Sequence, residues 1–430
     1  MKKRQSISTL ALAAMLGILC TGCAPQAKEE QTQVVAVMAS VKQVAGQMTY
    51  EEPEPLPEPE PEPVFQEYDI ELMAIGDNLM HMGIVYTGKQ KDGSYNYDCL
   101  FDELASFLET AEIKVINQET ILAGNDLGFS GYPKFNSPTE VGDAIGAAGF
   151  NVVLHASNHA GDKGIEGLQN CVTFWESHPE VLMTGIHKEA APSHEIPILT
   201  IDGVDFAILN YTYSANASTL KQELRGHLNM LCNWNEENGQ IDYKVLHPQV
   251  LADIAAAEEL ADVTIVFPHW GNEYKTSPSK YQKEFARQMT EAGADLIIGT
   301  HPHVIQPVEW VECENGNRSL CYYSLGNYVS TQKQTLCMLE AMAWVTFTVK
   351  ENGVVLAEEK TGVLPMVCHY RSGPVRLKQV YLLEEYTPEL AAAHGIKQYG
   401  EVELKYDELE QWSQEILGDW VMTAKEALEE

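Results

Sequence analysis

Three stretches of this sequence set histidines beside groups that bind cations: Asn158-His159, His269-Trp270-Gly271-Asn272-Glu273 and His301-Pro302-His303. With Asp77 after Gly76, and Glu119 after Asn117-Gln118, the set offers imidazole nitrogens together with carboxylate and carboxamide oxygens. Mixed N/O donors suit divalent ions of borderline softness, Mn, Fe or Zn, one or two of them. Such ions lower the pKa of a bound water and polarise an ester or amide. A histidine beside them can hand a proton to a leaving group near neutral pH. His301 and His303 are the most telling pair, because Pro302 stiffens a spacing that can aim both rings into one cleft.

These residues need rigid elements to converge, and each follows an apolar run of strand length. The runs are Ile70–Ile75, Ile113–Asn117, Val152–His155, Val181–Thr184, Val263–Pro268, Leu296–Gly299 and Leu320–Ser324. Amphipathic stretches between them (Phe101–Thr110, Gly164–Glu176, Pro248–Leu260, Ser279–Ala292) read as helices. Nearly continuous apolar strands alternating with helices imply an α/β core with largely parallel pairing. In such sheets the loops leaving the C-terminal strand ends collect the ligand site. Six of these ends carry Asp, Glu, Asn or His, the last being Leu325-Gly326-Asn327. Two-residue alternation at Ala207–Tyr211, and at Met342–Val349 before Glu351-Asn352-Gly353, reads instead as antiparallel hairpin strands.

Taken in order, Gly76-Asp77, Asn117-Gln118-Glu119, Asn158 to Gly164, His269 to Tyr274, Gly293-Ala294-Asp295, Gly299 to His303 and Ser324 to Tyr328 form a series. It resembles the CapA/PgsA family of bacterial poly-gamma-glutamate capsule proteins, which are related to calcineurin-like metallophosphoesterases. The resemblance implies a four-layer α/β/β/α sandwich. It also implies work on an anionic polyglutamate or capsule polymer, or beside its membrane synthase. Carried over by position, Asp77 and His303 hold one metal, Glu119 bridges, and Asn158, His269 and His301 hold the second. His159 is then the general acid, with Asp162 counted beside it, and Asp162 and Glu273 as groups that orient histidines. The series departs from metallophosphoesterases at Leu79, where a second histidine is usual; His81 follows two residues later.

The balance of the chain bears on partners and address. With 28 Lys+Arg against 62 Asp+Glu, the formal charge is −34. That argues against nucleic acid as a partner, since phosphate backbones are neutralised by Lys and Arg. A local focus of metal ions would answer the repulsion of a carboxylate or phosphate substrate. Residues 1–22 read as a lipoprotein signal peptide: Lys2, Lys3 and Arg4 precede the short apolar run Thr9–Leu19, and Thr21-Gly22-Cys23 resembles a lipobox despite Cys20 three positions before Cys23. Cys23 is then the lipidated residue of an extracytoplasmic protein anchored to the bacterial membrane. Residues 23–67 read as a disordered stalk, because the Glu/Pro alternation from Glu51 to Pro63 forms neither helix nor sheet. The CapA-type, metallophosphoesterase-like domain is expected over 68–385, and an acidic helical appendage over 386–430. Cys313 and Cys321 flank a turn signal, which leaves a cross-hairpin disulfide open. Two functions stay open at this point. One is a metal-dependent hydrolase or transferase; the other is a non-catalytic surface module that binds the polymer or its synthase.

Overall fold

Alternation between two apolar faces along each strand sets the architecture. In β1 (Tyr68–Asn78), Ile70, Leu72 and Ala74 join one core while Met73 and Ile75 join another. A strand apolar on both faces must be covered on both, and the fold follows from that. The computed structural model describes residues 65–193, 195–373, 377–400 and 402–429. The expected signal peptide, Cys23 and the whole Glu/Pro segment lie outside the described residues.

The remaining strands, in chain order, are β2 (Ile113–Asn117), β3 (Val152–Leu154), β4 (Leu182–Thr184), β5 (Ile198–Ile201), β6 (Val204–Thr212), β7 (Cys232–Trp234), β8 (Ile241–Leu246) and β9 (Val263–His269). They continue with β10 (Leu296–Ile298), β11 (Val308–Glu312), β12 (Arg318–Tyr322), β13 (Asn327–Val329), β14 (Leu339–Lys350), β15 (Gly353–Leu356), β16 (Gly362–Tyr370) and β17 (Leu377–Leu382). One sheet has the order β17-β16-β14-β1-β2-β3-β4, with β13 added beside β1 and β15 beside β14. The other runs β11-β12-β10-β9-β6-β5, and β7-β8 is a separate hairpin. Pairing is parallel through β1-β2-β3-β4 and through β6-β9-β10-β12. It is antiparallel at β14, β16 and β17.

The two sheets face each other across one apolar core, where Phe206 of β6 meets Phe347 of β14 edge-on at 5.4 Å. Their outer faces are covered by helices: α1 (Met82–Gly88), α2 (Ala105–Thr110), α3 (Glu140–Ala148) and α4 (Gly164–Trp175) follow the first sheet's strands, while α5 (Pro248–Leu260), after the β7-β8 hairpin, packs on β6 and β9, and α6 (Lys280–Ala292) follows β9. This is the expected four-layer α/β/β/α sandwich. The acidic C-terminal stretch forms α7 (Pro388–Ala393), α8 (Tyr406–Leu417) and α9 (Ala424–Leu428). Leu404, Leu409 and Leu417 bury themselves in the core that lies between the sheets, within the same compact unit. No helix among the described residues is long and apolar enough to cross a membrane.

Two expectations change. Met342–Val349 lies in β14 and turns into β15 as read, but Ala207–Tyr211 is only half a hairpin strand. It pairs antiparallel with β5 through the Asp202-Gly203 turn and parallel with β9 on its other side. Cys313 and Cys321 are both free thiols. The hairpin register sets Cys321 opposite Glu309, while the Cys313 N–H donates to Asn317, so the two sulfurs are not partners.

Candidate metal centre

The strand ends of the two sheets meet at one place. β1 delivers Asp77, whose register partners are Asn117 of β2 and Asn327 of β13. Asn117 Nδ2 donates to Asp77 Oδ1 at 2.7 Å. The close approach of β13 to β1 explains Gly76: a Cβ there would stand 2.1 Å from the Gly326 carbonyl oxygen. Gly299 is required for the same reason, its Cβ meeting the Tyr323 carbonyl at 2.2 Å. Past it the backbone strains. His301 and His303 take φ of 97° and 59°, and Tyr274 and Asn216 beside them 62° and 54°. Non-glycine residues in this region cost on the order of 1–3 kcal/mol each and persist where surrounding contacts dictate them. Here the His301 N–H donates to both Asp77 oxygens (3.3 and 3.2 Å), the Tyr274 N–H to the Pro302 carbonyl, and Asn327 Nδ2 to the His303 carbonyl.

All six residues expected to ligate are brought together and are buried. Three groups of side chains can hold an ion, their donor atoms within 4.8 Å of one another: Asp77 with Glu119 and His303, Glu119 with His269 and His301, and Glu273 with His301 and His303. Glu119 is shared by the first two. Its oxygens have no hydrogen-bond partner, although it is only 1% exposed. Around it stand His269 Nε2 and His159 Nε2 at 3.9 Å and His303 Nδ1 at 3.8 Å. That is too far for a hydrogen bond, and it is the spacing of ligands that each lie about 2.0–2.2 Å from a common ion. His301 Nδ1 is likewise buried without a partner. Unpaired buried acceptors are rare because each costs free energy, so these donors fit a cation.

The donors differ in their electrostatics. Burial holds His269 and His301 well below the usual imidazole range, with neighbouring histidines adding to the effect. Neutral imidazole is the form that ligates. Burial also opposes the charge on His303, but Glu119 and the Asp77 carboxylate, 3.0 Å from Nδ1, outweigh it and bring its pKa up to about 9. Burial, then Asp77, pushes the Glu119 carboxyl well above its ordinary range. Asn158 Oδ1 accepts the His269 Nε2–H at 2.8 Å, and Thr300 Oγ1 lies 2.9 Å from His269 Nδ1.

His159 has a different setting. Its Nδ1 lies 2.7 Å from Asp162 Oδ2, and that same oxygen accepts the Phe135 N–H at 2.7 Å. The Phe135 ring meets the imidazole edge-on at 4.7 Å. With Nδ1 held by Asp162 Oδ2, and Asn216 Nδ2 also 3.1 Å from it, Nε2 is left toward Glu119 and the cleft. Glu273 is exposed and joins a candidate ligand group with His301 and His303. His81 packs edge-on against Phe135 at 5.4 Å, and burial, then His303, brings its pKa down to about 4. It joins none of the three donor groups.

The family model described as bacterial capsule synthesis protein PGA_cap matches residues 71–332, more than half of the chain. This chain belongs to that family. The matched span contains every residue of the donor groups. A PGA_cap relative, the PGA biosynthesis protein CapA of Bacillus subtilis (strain 168), is 31% identical over 246 residues, covering 56% of this chain and 58% of the relative. The capsule biosynthesis protein CapA of Bacillus anthracis is 26% identical over 295 residues, covering 67% and 66%. The matches thus span less than two thirds of either relative. A hypothetical protein from Thermus thermophilus aligns in structure at 12% identity, covering 69% of this chain and 99% of that one, with a TM-score of 0.40.

Four side chains of this PGA_cap centre were not singled out from sequence: Thr300, Phe135, Asn216 and Tyr213. Thr300 sits inside the quoted Gly299–His303 run. Asn216, whose Oδ1 accepts the Asn158 Nδ2–H at 2.9 Å, has no local signal. Tyr213, its ring centroid 4.5 Å from that of His301, follows the strand whose parallel edge went unrecognised.

Proposed function

We propose that this protein acts in the biosynthesis or processing of an anionic capsule polymer of the poly-gamma-glutamate class, by hydrolysis or transfer at a metal centre. The names of its relatives supply the polymer; the observation that carries the chemistry is His159. Its Nδ1 is spent on Asp162 at 2.7 Å, while Nε2 stands 3.9 Å from a carboxylate shared by two donor groups. A module that only binds polymer has no use for an oriented proton donor there.

In this reading Asp77, Glu119 and His303 hold one ion, and Glu119, Asn158, His269 and His301 hold the other. Bound ions would polarise a phosphoester or amide and acidify water. The chain's own residues do the rest. Asp162 fixes the imidazole and offsets the positive charge it carries when Nε2 is protonated. His159 Nε2 passes that proton to the departing oxygen or nitrogen and recovers one from the attacking water. The buried walls limit competing solvent.

We also place the protein outside the cytoplasm, tethered through a lipid on Cys23, with residues 24–67 as the spacer. The n-region, short apolar run and Thr21-Gly22-Cys23 support this. A formal charge of −34 suits a body held away from anionic lipid.

The test is metal content of the purified chain and of a His301→Ala/His303→Ala variant, after loading with Mn, Fe or Zn. About two equivalents per wild-type chain, lost in a variant that keeps its circular dichroism, is the expected result. No bound metal in the folded wild type would leave a polymer-binding module instead.

A further inference from the structure

A groove of about 480 Å³ adjoins the centre. That volume is within the range that holds an extended ligand of several groups. Tyr213 belongs to both places: its ring contacts that of His301 and it lines the groove, with the buried Trp270 in the wall behind it. Tyr243 and Lys244 of β8, with Lys280 and Tyr281 at the start of α6, complete the part that matters. Among the described residues neither Lys244 nor Lys280 makes an ion pair, although acids outnumber bases more than twofold in this chain. Lys188, Lys283, Lys360 and Lys405 are each held by a carboxylate, and among the described residues lysines on other faces are unpaired too; Lys244 and Lys280 are set apart by sharing one groove with no acid among its lining residues. Lys280 lies over the Tyr281 ring at 4.9 Å. The nearest acid in sequence to Lys244, Asp242, accepts the Lys244 backbone N–H rather than its ammonium.

Resting on the function proposed above, we infer that this groove is the subsite that seats the polymer, a linear polycarboxylate running from Lys244 and Lys280 toward the metal centre. Two cations on separate elements meet the polymer's free α-carboxylates, and repulsion elsewhere on the surface confines the polyanion to this path. The rings of Tyr213, Tyr243 and Tyr281 offer apolar and π surface to methylenes and planar amides. A glutamate chain has both and an inorganic polyphosphate has neither, so the wall composition selects the carboxylate polymer.

The experiment is fluorescence anisotropy of a short labelled γ-linked glutamate oligomer with the full, metal-loaded chain at moderate salt. Lys244→Ala/Lys280→Ala is expected to weaken binding about tenfold, with a matching loss of salt dependence. A Lys91→Ala/Lys350→Ala control, removing two exposed lysines elsewhere, is expected to bind as wild type, and metal content is expected to be equal in all three. Wild-type affinity in the groove variant overturns the subsite while the polymer reading stands. Failure of the wild type to bind the oligomer at all overturns the polymer reading itself. Competition by inorganic polyphosphate as strong as by unlabelled oligomer overturns the choice of a polycarboxylate.

Discussion

The carboxamide oxygen of Asn158 accepts the Nε2–H of His269 at 2.8 Å, so two atoms proposed to share an ion are hydrogen-bonded to each other. An ion would take the place of that proton, leaving His269 Nδ1–H to donate to Thr300 Oγ1, now 2.9 Å away. Thr300 thereby fixes which imidazole nitrogen faces the cleft. Thr300→Val keeps the shape and removes the acceptor. It is expected to lower affinity for the more weakly held ion about 10–100-fold, as loss of a partner behind a ligand does elsewhere. Competition against a chromophoric chelator measures this, and unchanged affinity would remove Thr300 from the account.

His159 gives a prediction with an internal control. A proton donor matters in proportion to how poorly the leaving group departs alone. His159→Gln should reduce turnover of an alkyl phosphodiester by about 10²–10⁴-fold. It should do far less to a p-nitrophenyl ester, whose leaving group needs no proton. Asp162→Asn should show the same contrast with smaller losses, because it removes the carboxylate that orients the ring at 2.7 Å. Equal losses on both esters would mean that His159 acts on binding and not on proton transfer.

Much of this was readable because a parallel α/β fold converts strand ends into a site. Asp77, Glu119, Asn158, His269, His301 and His303 each follow an apolar run, and the sheets carry them to one point. What escaped depended on pairing and on loops. Ala207–Tyr211 alternates like a hairpin strand, and its antiparallel edge with β5 fits that reading. Its other edge is parallel to β9, with Thr212 beside His269, which aims the following loop, Tyr213 to Asn216, into the cleft. Alternation reports which faces are buried, not the direction of a neighbour. The turn between Cys313 and Cys321 was likewise visible, whereas the register that separates their sulfurs is set by the whole hairpin.

Glu340 on β14 is fully buried, and neither carboxyl oxygen has a hydrogen-bond partner. Burial, reinforced by Asp77, holds its carboxyl well above the ordinary range, so folding favours its neutral form. An unpartnered buried polar group costs about 1–3 kcal/mol. Glu340→Met, close in shape and apolar, should raise the unfolding free energy by about that amount. Metal content should be unchanged, since Glu340 joins none of the donor groups. Chemical denaturation and metal analysis of the same preparation test both; a less stable or metal-poor variant would show that this carboxyl has a partner when the centre is loaded.

Glu71 makes stability depend on pH within an accessible window. Burial, with smaller contributions from Asp69 and Glu112, brings its pKa up from 4.5 to about 7, against the hydrogen bond that Thr346 Oγ1 donates to Oε2 at 2.6 Å. The folded state therefore keeps a proton that the unfolded state releases near 4.5. Between these two values the unfolded chain binds fewer protons, so this group lowers stability progressively as pH rises, and the loss is complete above about 7. Glu71→Gln retains an oxygen for Thr346 and cannot ionise. Thermal unfolding of the variant should thus match wild type near pH 4.5 and exceed it near neutrality, with the difference growing between those limits. A constant offset across that range would locate the effect in packing and leave the proton out of it.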